Sequence, residues 1–166
     1  QAAKASALGV GLLNKALSVT TLFLAPIAVA GKAFSGFAEA DKAAAAVETL
    51  GVNSKELRDR LKRVSVESGH LASTTTLMGA AYDVASAGFN TASEASAVLD
   101  ASLKAAVGGM SDLKTVSDAT TSVLNAYGLS SDKAQKIVDG FIQTQNDGKI
   151  IVQEYANQIG RVAPIA

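Results

Sequence analysis

The sequence predicts an all-α protein, with short packed helices in a multi-helix module preceded by a longer N-terminal helix suited to an oligomeric bundle. Three observations predict it. Alanine, the residue that costs least in a helix, fills roughly a fifth of the chain, and only 2 prolines interrupt 166 residues. Apolar residues recur at helical spacing, and no strand pattern competes apart from the short run "DGKIIV". A corner also recurs. "LGVNSKEL" at 50–57, "SAGFNTAS" at 86–93 and "YGLSSDKA" at 127–134 each read glycine, apolar residue, then Asn or Ser and a helix-capping side chain.

The first 50 residues are the least punctuated and form one expected segment, 1–50, ahead of a compact module at 51–166. A helical pattern runs from Lys4 to Leu24, where Pro26 kinks it or opens a new first turn. The stretch at 16–31 carries no charge and includes Leu22, Phe23, Leu24, Pro26 and Ile27. It is shorter than the roughly 20 apolar residues that span a bilayer core, so it reads as a buried helix or an oligomer contact, with membrane entry as the alternative. Ile27, Phe34 and Phe37 continue the apolar period toward Leu50, with a heptad-like seam that Asp41 interrupts.

Gly51 ends that helix, and Asn53 or Ser54 caps a short charged one carrying Leu57, Leu61 and Val64 on one face. Its Lys55, Arg58, Arg60, Lys62 and Arg63 read as a solvated face. "GHLAST" breaks the chain again, and Ser73 or Thr74 caps a helix to Ala87. Gly88 suits the left-handed position after a helix, where a Cβ would clash. Phe89 is placed to pack before the next cap, and Thr91 with Glu94 forms a capping box. That helix is expected to stop at Gly108-Gly109, with Ser111 capping the one that runs to Tyr127. Gly128, Leu129 and Ser131 repeat the corner and start a helix to Gln145; a last helix follows from Ile150 to Val162.

Chemistry is sparse. Acidic and basic residues balance at 15 each, which gives no electrostatic case for specific nucleic-acid binding. Cysteine is absent and His70 is the single histidine, so thiolate and multi-histidine metal sites are excluded. His70 sits in a loop and reads as a surface or capping residue. No Gly-x-Ser-x-Gly elbow and no strand-borne phosphate loop occur. No catalytic residue, cofactor or metal is expected, and the chain does not read as an enzyme. Alanine buries little area apiece, at about 25 cal/mol per Å², so an alanine-rich helical chain favours close helix approach or neighbouring chains.

The ordered phrases "ASAGF", a capped helix with Glu94, "NAYGL", "IVDGF" and the closing "VAPIA" resemble the helical core region of phage tail tape measure proteins, over about residues 35–166. The resemblance implies a virion protein that fills the tail tube lumen near the tip or baseplate, sets tail length during assembly in the host cytoplasm, and leaves through the tip at DNA ejection. It implies a homotrimer that meets tail tube protein, tip or baseplate hub proteins and tail assembly chaperones. Contact with the host envelope at ejection would give the run at 16–31 a role; a membrane-active, pore-forming helical protein is the alternative reading. A chain starting at Gln1 and stopping at Ala166 is expected to be a fragment of a longer one.

Overall fold

The computed structural model describes residues 39–148 and 150–162, and among them every regular element is helical. The elements are α1, described over 39–48, α2 (Ser54–Glu67), α3 (Thr74–Ser86), α4 (Ala92–Gly108), α5 (Leu113–Ala126), α6 (Ala134–Asp147) and α7 (Val152–Val162). A single 3₁₀ turn, Ser131–Lys133, leads into α6. The residues divide into Gln1–Ala38 and a compact unit, Glu39–Ala166. That unit takes in residues 39–50, which the sequence reading assigned to the N-terminal segment. The reason is apolar: Ala44 and Val47 of α1 are buried in the same core as α2 and α4.

The central element is α4, which packs against α2, α3, α5 and α6. Its composition permits this. Ala92, Ala95, Ala101, Ala105 and Ala106, with Ser96 and Ser102, are all buried alongside Val98, Leu99 and Leu103. Small side chains around most of the circumference let several helices approach one axis at once. α7 closes the other side, against α5 and α6. Where α5 turns inward, Thr120 Oγ1 donates to the Val116 carbonyl at 2.7 Å and Ser117 Oγ to that of Lys114 at 3.0 Å. Each satisfies a hydroxyl that burial would otherwise leave without a partner.

Five helix ends share one hydrogen-bond pattern. At the end of α3 the N–H of Gly88 donates to Ala85 O at 3.0 Å and that of Phe89 to Val84 O at 3.4 Å. This is the paired-bond C-cap in which a left-handed residue turns the chain away from the helix axis. The same pair of bonds recurs at Gly51–Val52, Gly69–His70, Met110–Ser111 and Gly128–Leu129. The turning residues have φ of 84°, 70°, 105°, 50° and 59° at Gly51, Gly69, Gly88, Met110 and Gly128. Sequence reading found three of these corners as glycine-led; the corners at Gly69 and Met110 use the same device.

At Met110 the device departs from expectation. Gly108 is helical and Gly109 has an ordinary φ of −94°, so neither glycine takes the left-handed position. Gly109 is required for a different reason. A Cβ there would lie 2.5 Å from Val152 Cγ2 and 2.9 Å from Ala105 O, so the start of α7 sits where a side chain would be. The left-handed conformation passes to Met110, which is 85% exposed.

Capping follows the prediction at three helices. Asn53 accepts from Glu56 N, Ser73 from Thr76 N, and Thr91 with Glu94 forms the reciprocal box. One expected cap and one expected helix start are corrected. Asp112, not Ser111, caps α5, because the Ser111 N–H is already bonded to Ala106 O as part of the preceding corner. The corner at Gly128, Leu129 and Ser131 does not start α6 directly; Ser131 begins the 3₁₀ turn, and α6 follows from Ala134. α7 also starts later than expected, at Val152, whose N–H donates to Gln145 Oε1 at 2.8 Å.

Candidate functional site

The corner residues Gly51, Asn53, Gly88, Phe89, Thr91, Gly128, Leu129 and Ser131 lie at three different turns and do not converge on one site. Gly51, Gly88 and Gly128 adopt positive φ, and Asn53 and Thr91 cap. Phe89 is buried, 6% exposed, while Leu129 at the equivalent position is 38% exposed. The second expected group, Leu22, Phe23, Leu24, Pro26, Ile27, Phe34 and Phe37, lies outside the described residues. Among the described residues no helix is long and apolar enough to cross a membrane.

Two polar clusters fasten the helices together. Gln153 of α7 reaches the α4–α5 corner: its Oε1 accepts from Asp112 N at 3.0 Å and from Ser111 Oγ, and its Nε2 donates to Thr115 Oγ1 at 3.0 Å. Burial alone would raise the Asp112 carboxyl. Hydrogen bonds from the Thr115 hydroxyl at 2.6 Å and N–H at 2.8 Å, with a smaller share from Gln153, outweigh it and hold the group below the usual carboxylate range. On the other side, Lys114 joins α5 to α3 through Asp83 at 2.7 Å and also pairs with Asp118 at 3.2 Å. The bond to Asp83, then that to Asp118, raises its pKa above the ordinary lysine value. Both clusters are accounted for by the fold.

One surface is not. α5, α6 and α7 border a groove of about 520 Å³. Its floor and walls are apolar: Ile137 and Phe141 from α6, Tyr155 and Ile159 from α7, Val123 and Tyr127 from α5. Phe141 and Tyr155 meet edge to face with ring centres 5.5 Å apart, a geometry aromatic pairs prefer. Tyr127 is 64% exposed at one end, an uncommon placement for so large a ring. The charged residues lining the groove are Lys133 and Lys136, and Gly140 lies in the same lining. Sequence reading missed this site. Its signal was present as pairs four apart, Val123/Tyr127, Ile137/Phe141 and Tyr155/Ile159, but each pair alone looks like an ordinary core stripe.

With fold and groove described, comparison with known proteins supplies the class: an all-helical component of a phage tail. The chain belongs to the phage-related minor tail protein family, whose model matches residues 58–166. The match takes in α3 to α7 and therefore the groove. No curated protein and no solved structure matches the chain.

Proposed function

We propose that this phage tail protein is a segment of the tail tape measure protein, which fills the tail tube lumen, sets tail length during assembly and leaves through the tip as DNA is ejected. The observation that carries the reading is that the family match at 58–166 spans the ordered phrases "ASAGF", "NAYGL" and "IVDGF" that resemble tape measure proteins. The all-helical unit is consistent with it, since the resemblance is to a helical core region. In this reading the chain acts by assembly rather than catalysis and needs no cofactor. Its partners are tail tube protein, the tip or baseplate hub, tail assembly chaperones and two further copies of itself.

The folded unit adds a physical qualification. A straight helix advances about 1.5 Å per residue, whereas Glu39–Ala166 turns back on itself at five corners. It is a compact block within the ruler, and length is counted by extended stretches elsewhere. The test is to duplicate residues 39–162 in the phage gene and measure tails by electron microscopy. Tails should lengthen by between roughly 35 Å, for a block that stays folded, and about 190 Å, for one drawn out as helix. Virions that incorporate the longer protein with unchanged tails would overturn the assignment.

A further inference from the structure

We propose that the α5–α6–α7 groove is a docking slot for one amphipathic α-helix of another polypeptide, with carboxylates flanking its apolar stripe. Three observations carry this, and none depends on the ruler reading. The first is shape. The lining residues of α6 are Lys136, Ile137, Gly140, Phe141 and Thr144, a single stripe at helical spacing, and Lys133 precedes it from the 3₁₀ turn. α5 and α7 each add a pair four apart. The slot thus runs along α6 for about 12 Å at 1.5 Å per residue, a little over two helical turns.

The second observation is Gly140. Glycine in a helix interior destabilises it relative to alanine, and among the described residues nothing offsets that cost, because a Cβ at Gly140 would meet none of their atoms within 4 Å. Gly140 is itself part of the groove lining. A missing side chain in the contact face is what lets two helix backbones approach closely. Gly79 is also a helical glycine facing open space, but it lies on α3 and outside the groove.

The third is charge. Lys133 and Lys136 are the charged lining residues, both exposed and one turn apart at the same end. Lys133 holds Asp132 at 2.6 Å, an exposed pair that a better-placed carboxylate can displace at little cost. A helix with acidic flanks complements this rim.

The test titrates the full chain with two synthetic peptides of about 18 residues, each with the same Ala/Leu stripe, one flanked by Glu and one by Lys. NMR follows the amides of Gly140, Tyr155 and Ile159. The Glu peptide should shift them saturably and bind at least about tenfold more tightly than the Lys peptide. Lys133→Glu with Lys136→Glu should reverse that preference. Gly140→Ala and Gly79→Ala should both raise the unfolding midpoint, yet only the first should weaken binding, and Gly140→Leu should abolish it. Equal affinity for the two peptides, no saturable shift, or undiminished binding to Gly140→Leu would overturn the proposal. So would groove amides that shift with protein concentration in the absence of peptide, which would show a second copy in the slot.

Discussion

Met110, like His70, is a non-glycine residue held at positive φ, 50° and 62° respectively, where the backbone stores strain. An L-residue in the left-handed region costs roughly 1–2 kcal/mol, part of which glycine would return as chain entropy. Met110→Gly should therefore stabilise the protein by about 0.5–1 kcal/mol in urea unfolding, since the exposed side chain gives up no packing. Its neighbour behaves oppositely. Gly109→Ala must push Val152 and α7 away, and overpacking of this kind costs about 1–3 kcal/mol. Ser102 offers a third contrast: its Oγ is buried with no hydrogen-bond partner among the described residues, so Ser102→Ala should be neutral or stabilising by up to about 1 kcal/mol. That Met110 rather than either adjacent glycine takes the turn was not legible in "GGMS". The choice is made by α7, an element more than 40 residues further along.

At the scale of the element, caps and corners are coupled. After the corners at Gly51, Met110 and Gly128, the residue immediately past the second corner bond becomes the N-cap: Asn53, Asp112 and Ser130. That rule explains why Ser111 lost its expected role, and it was hidden because both neighbours are good cap residues. Glu94→Ala, which breaks the capping box, should cost about 0.5–1 kcal/mol. Asp112 carries a pH signature. Its folded carboxyl lies below the unfolded value of about 3.8, so its charge stabilises above that value, and the contribution disappears as pH falls through the lower folded pKa. The stability difference between wild type and Asp112→Asn, which keeps a capping oxygen, should be constant from neutral pH to about 5 and shrink below about 3.8. A difference that grows on acidification would show that the carboxyl is not held in its charged form.

At the scale of the whole unit, the class of fold was legible because alanine content, helical period and glycine-led corners all point one way. Partner choice among helices was not. Nothing in the sequence of α4 distinguishes an element surrounded by four others from one lying at the edge, because its small residues suit either. The groove was illegible for the complementary reason: an apolar pair at helical spacing looks the same whether another helix covers it or not. The corners themselves carry the central claim, that left-handed turning residues convert a strong helix former into a stack of short rods. Small-angle X-ray scattering of the Glu39–Ala166 unit tests it most directly. The account predicts a radius of gyration of about 14 Å; a rod-like profile approaching 190 Å in length, the span of one unbroken helix at about 1.5 Å per residue, would contradict it.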